Sequence, residues 1–107
     1  MFVKYLAANI AAGQTDAALV TAVASSPIVV LGLVLVAGAT ATTVVFNTKP
    51  SGSGSAISAV FALPISGSLV LPVSEIGWFT TLIGAGLTVT TGAGATTGIQ
   101  IVYGINL

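Results

Sequence analysis

The sequence predicts an all-β fold: a single antiparallel β-sandwich, jelly-roll-like, with an extended N-terminal arm. Three observations carry that expectation. Val, Ile and Thr abound, and these β-branched side chains suit a pleated surface better than a helix turn. Thirteen glycines, many of them next to serine or alanine, punctuate the chain at short intervals. Between those clusters apolar residues recur at every second position, the period of a strand with one buried face. The chain has 107 residues, enough for one small domain, divided into an arm over 1–16 and a sandwich over 17–107.

Taken in order, the N-terminal stretch MFVKYLAANIAAGQTDAALVTAVASS begins with an apolar arm, Phe2, Val3, Tyr5 and Leu6, interrupted only by Lys4. Its alanines are also compatible with a short helix around Leu6 to Ala12. With Lys4 early and Ala22-Val23-Ala24 late, the stretch has the outline of a cleavable leader. Asn9, Gly13, Gln14 and Asp16 interrupt the apolar centre a leader needs, so it is expected to remain in the folded chain.

Ser26 to Thr48 is free of charge for 23 residues, long enough to cross a bilayer as a helix. Only Ile28–Val36 is densely apolar, however, and five of its nine residues are β-branched. Pro27 precedes it, Gly38 and three threonines follow, and Lys49-Pro50 closes the second apolar run. A short apolar run bounded by turn signals fits a buried strand. The expected elements are therefore a strand over Ile28–Val36, a turn near Gly38 and a strand over Thr42–Asn47. The first strand is apolar on both faces, so partner subunits are expected to cover its outer one.

Further on, ISAVFAL aligns Ile57, Ala59, Phe61 and Leu63. LTVTTG sets Leu87 and Val89 against Thr88 and Thr90, and GIQIVYGI sets Ile99, Ile101, Tyr103 and Ile105 against Gln100 and Gly104. Turns are expected at 49–55, 66–68, 84–86 and 92–98, with their Ser, Thr and Gly facing solvent.

Charged residues make up 4% of the chain, against about 25% in an ordinary soluble domain. They are Lys4, Asp16, Lys49 and Glu75, for a net charge of zero. Such a surface gives little colloidal repulsion, so lipid or other protein subunits should cover much of the chain. No basic patch exists for nucleic acid. His, Arg and Cys are absent, which removes the commonest general base, the nitrogen and sulfur metal ligands and the guanidinium clamp for phosphates. No catalytic residue, cofactor, metal or small-molecule ligand is expected, and the chain is read as no enzyme. Asp16 and Glu75 could serve as a glycosidase pair only if held together; they are read instead as two solvated charges. The glycine clusters match neither a phosphate-cradling loop nor a dinucleotide fingerprint and are read as turns.

Trp78 and Phe79 are read either as a core anchor closing one end of the sandwich or as an interface anchor. The candidate interface residues are thus Phe2, Val3, Tyr5, Leu6, Trp78 and Phe79. A glycan platform on Trp78 or Tyr103 would need exposed rings, and both are expected to be at least half buried.

The order of features from Ala17 to Asn106 also carries a resemblance. The run ALVTAVASSPIVVLGLVLVAGATATTVVFNT is followed by a Gly-Ser loop, LPISGSLVLP, Gly77-Trp78-Phe79-x-Thr81, GAGLTVTTGAG and a closing Val102-Tyr103 strand. This order resembles a small β-sandwich module of tailed-phage virions, of capsid decoration or cement type. It departs from that pattern at Ser25-Ser26-Pro27, where a basic residue is usual. The resemblance implies a bacteriophage structural protein at the capsid surface, binding the major capsid protein as a homo-oligomer, by default a homotrimer. A tail, neck or fibre component is the nearest alternative. A small holin-like membrane protein is the alternative from another class, and it requires Ile28 to Phe46 to be helical.

Overall fold

A computed structural model describes residues 2–94 and 96–106. Met1 of the expected arm, Ala95 of the expected 92–98 turn, and Leu107 lie outside the described residues. The chain forms β1 (Phe2–Ile10), β2 (Ala17–Val20), β3 (Val29–Val36), β4 (Thr42–Lys49), β5 (Ser55–Ala56), β6 (Phe61–Leu63), β7 (Ser68–Leu71), β8 (Phe79–Thr80), β9 (Gly86–Thr91) and β10 (Thr97–Ile105). Sheet I runs β1-β10-β3-β7, with β8 also on β3; sheet II runs β2-β9-β4-β5, with β6 also on β4. All pairings are antiparallel. With β5/β6 and β7/β8 each taken as one interrupted strand, this is the eight-strand order of a jelly roll.

The stretch Ser26–Thr48 is therefore no membrane helix. It holds β3 and β4, one in each sheet, joined by a crossing near Gly38. Among the described residues no helix is long and apolar enough to cross a membrane. The helix compatible with Leu6–Ala12 is overturned as well. Leu6, Ala8 and Ile10 alternate towards the core, and every residue from Phe2 to Ile10 has a partner on β10. That ladder outweighs an alanine preference worth only a few tenths of a kcal/mol per residue. The extended N-terminal segment thus lies along its own fold, and the leader-like stretch supplies an edge strand to each sheet.

The core lies between the sheets. Ile28, Val30, Leu33, Leu35, Ile99 and Ile101 face Val44, Phe46, Leu87 and Val89. Phe46 is wholly buried, its ring centroid 5.0 Å from Phe79 and 6.4 Å from Phe61. On β3 the phase shifts: Val30 and Leu33 both face the core. The register with β10 steps from Gly32↔Val102 to Val30↔Tyr103, leaving Leu31 as an extra residue, as in a β-bulge.

Residues 72–78 leave sheet I between β7 and β8 and fold over the outer side of β3. Ser74 N donates to Leu31 O (2.8 Å) and Trp78 N to Val30 O (2.8 Å). This excursion accounts for the burial of Val29 and Leu31, which are 8% and 4% exposed although they lie outside the inter-sheet core. Gly77 makes the close approach possible: its φ is 88°, and a Cβ there would strike Val29 Cγ1.

Threonine departs from its expected solvent-facing role. Thr42, Thr48, Thr81, Thr88, Thr91 and Thr97 are all buried. Most tie loops to strands: Thr81 Oγ1 accepts from Ile28 N (2.8 Å), Thr48 Oγ1 from Leu82 N (3.0 Å), and Thr91 Oγ1 donates to Ala11 O (2.8 Å). Thr97 Oγ1 alone is buried without a partner among the described residues.

Two outcomes are expected in urea unfolding. Thr97→Val keeps the shape and removes the unsatisfied hydroxyl, so it should stabilise the fold by about 1 kcal/mol. Gly77→Ala should destabilise it by about 1–3 kcal/mol, through positive φ and the clash with Val29.

Candidate assembly surface

The outer face of sheet I is built by residues that alternate away from the core. Across the strands the register aligns Ala7, Gln100, Val34 and Val70 in one row, and Tyr5, Val102 and Gly32 in the next. A third row holds Asn9, Gly98, Val36 and Ser68. No charged residue lies in these rows. Tyr5 is 86% exposed, Val70 60% and Val36 44%.

Gly32 shapes this face. Without a side chain it leaves a shallow depression of about 390 Å³, walled by Tyr5 on one side and by Pro72 and Val73 on the other. A Cβ on Gly32 would meet Val73 Cγ2 at 3.1 Å and Leu71 O at 3.2 Å, so the chain leaving β7 could not cross there as closely. The excursion covers Val29 and Leu31 and stops; Val34 and Val36, further along the same strand, stay uncovered.

The six interface residues expected from sequence are divided by the fold. Val3 and Tyr5 lie exposed on the outer side of β1, and Phe2 is exposed at the start of the same strand. Leu6 and Phe79 pack against the core instead. Trp78 is no core anchor: it is 45% exposed on the excursion, with Nε1 donating to Pro72 O (2.7 Å). That bond fixes the ring as a rim for residues 72–78. Tyr103 is half buried against the core, as expected for a ring unsuited to glycan stacking.

Sequence reasoning missed Val70 and Val102 as outer-face residues. Their signal is the run LVL in β7 and IVY in β10, where an outward position is apolar between two inward ones.

The two carboxylates belong to different sheets. Glu75 is exposed on the excursion over sheet I. Asp16 adjoins sheet II, partly exposed, and is hydrogen-bonded as well as solvated. Its Oδ2 accepts from Gly54 N (2.9 Å) and its Oδ1 from Thr88 Oγ1 (3.1 Å), pinning the Gly-Ser loop to β9. The Gly54 N–H holds the carboxyl below its ordinary pKa. Partial burial opposes this, while Thr88 and Lys49 reinforce it. A carboxyl lowered in the folded state adds stability above its unfolded pKa and loses it as pH falls through the folded value. Asp16→Asn should therefore lower Tm at pH 7, and the gap from wild type should close below about pH 3.8, read by calorimetry across pH 2–7.

No protein-family model matches the chain, and no curated protein matches it. Among solved structures it is similar to the crystal structure of PirA, at 10% identity over 95% of this chain and 90% of that one, with a TM-score of 0.34. It is also similar to the cryo-EM structure of the giant freshwater prawn Macrobrachium rosenbergii extra small virus (XSV) VLP. There the identity is 13% over 96% of this chain and 79% of that one, with a TM-score of 0.29. Likenesses at this level assign neither family nor function, and the resemblance to tailed-phage modules rests on its residues alone.

Proposed function

We propose that the chain is a non-enzymatic structural subunit of a virion, of capsid decoration or cement type, that works by covering apolar surface on assembly. The observation that carries this reading is the uncharged outer face of sheet I, with Tyr5, Val36 and Val70 open to solvent. The total accessible surface, 5439 Å², matches the roughly 5,400 Å² of a compact monomer of this mass. The fold is thus closed within one chain, and the pressure to assemble comes from the kind of surface exposed.

The jelly-roll topology hosts viral capsid domains, lectins and cupins, so it does not choose among them. The residues favour the first. A cupin's metal chemistry has no histidine here. Burying exposed valines such as Val36 and Val70 against another subunit would contribute about 1.5 kcal/mol each, before the cost of ordering the interface. Nothing in this mechanism needs a cofactor.

The test is quantitative mass spectrometry of density-purified particles from a culture carrying the gene. A copy number in the hundreds per particle is expected for a cement protein, and a dozen or fewer would move the subunit to a tail, neck or fibre. Absence from particles, or recovery in the membrane fraction, would contradict the reading. Val70→Lys, at an exposed position, should leave the fold intact and reduce the particle-bound copies at least tenfold.

A further inference from the structure

Four sheet edges are present, and three carry devices that block pairing with another chain. The β2 edge is four residues long, with a register shift between Ala18 and Val20. The β5/β6 edge is broken into pieces of two and three residues. The β7/β8 edge is interrupted by residues 72–78, which include Pro72 and Glu75. The β1 edge is neither short, shifted nor interrupted: it runs nine residues with an unshifted ladder to β10 and no proline, and its one guarding charge is Lys4, near its start.

We propose that β1 pairs with β1 of a second copy, antiparallel about a two-fold axis through Leu6, joining two sheets I into one eight-stranded sheet. This rests on the reading that the chain acts as an assembly, and it specifies the contact and its symmetry. The occupant follows from the strand itself. Two-fold antiparallel pairing keeps core-side residues beside core-side residues only when the paired numbers sum to an even value. A sum of 12 is the one register in which all nine residues are paired. It sets Phe2 opposite Ile10, Lys4 opposite Ala8, Tyr5 opposite Ala7 and Leu6 opposite itself, so each bulky residue at the ends meets a different neighbour. A sum of 10 puts Tyr5 on Tyr5 and leaves two residues unpaired; a sum of 8 puts the lysines face to face, which is destabilising. With net charge zero, nothing else on the strand opposes the approach. The ladder would satisfy the outward main-chain groups of β1, the usual source of affinity in strand addition. The uncharged outer faces of the two copies would become continuous.

Because the chain has no cysteine, single introduced thiols report the register directly. The variants Tyr5→Cys and Ala7→Cys, both at exposed positions, are mixed without detergent and oxidised with copper phenanthroline, which joins directly opposed thiols as disulfides and not diagonal ones. The expected main product is the mixed dimer, one copy of each variant, at least fivefold over either homodimer. Cross-links predominantly between two copies of Tyr5→Cys would overturn the register, and no cross-link with either variant would overturn the contact. A positive result with the protein missing from particles would sink the virion reading and leave this one standing. Particle-bound protein without the mixed cross-linked dimer would do the reverse.

Discussion

One strand sets the terms for the rest of the molecule. β3 is apolar on both faces, and a two-layer sandwich can bury only one of them. Its inner residues, Val30, Leu33 and Leu35, complete the core against Phe46 and Val89. On its outer side the solution is split. The excursion between β7 and β8 folds over Val29 and Leu31, held by two main-chain hydrogen bonds to β3. Gly77 permits the contact, Phe79 returns the chain to the core, and Thr81 closes the entry to β3 by accepting from Ile28 N. The Gly-Trp-Phe-x-Thr segment is thus a clamp on β3, which explains its composition without any ligand. At Gly32 the cover ends, and the remaining outer positions form the uncharged face. The proposed function follows from that half-finished cover.

Much of the architecture was legible in the period-2 pattern, but ISAVFAL forms a strand only over Phe61–Leu63, and its Ala59 lies exposed. β3, β4, β9 and β10 stand where alternation and turn clusters place them, and the sandwich class follows from them. The N-terminal stretch was harder to read, because alanine favours a helix locally and only the long-range ladder to β10 makes Phe2–Ile10 a strand. The division of β3 and β4 between two sheets was also beyond local reasoning, since the Gly38 turn looks the same whether the chain doubles back or crosses over. For the surface, sequence found the apolar β1 residues but grouped them with Phe79 and Leu6, which the core claims. It missed Val70 and Val102 because an outward valine between two inward apolar residues reads like a fully buried strand.

The scarcity of charge has a second consequence inside the fold. Loops that other domains hold with ion pairs are held here by threonine hydroxyls and by Asp16. Six threonines are buried, and the Gly-Ser loop, flexible by composition, is pinned through Gly54 to a carboxylate that is itself bonded to Thr88. The bonds between threonine hydroxyls and main-chain groups are neutral, short-range and insensitive to salt, unlike exposed ion pairs. The three outer rows of sheet I carry no charge that would oppose burial, and Glu75 stands beside them on the excursion. The same chemistry that anchors the loops therefore also suits the chain to an apolar contact.

The central claim is that this chain folds as a monomer-sized sandwich whose outer face must be covered by protein. The most direct test is light scattering of the purified, detergent-free wild type across a range of concentrations, with far-UV circular dichroism on the same sample. The account predicts a strand spectrum and a mass at least twice 10.4 kDa that persists on dilution to micromolar concentration. A monodisperse, strand-rich monomer that stays soluble at high concentration would contradict it, because the uncharged face would then be stable in water uncovered.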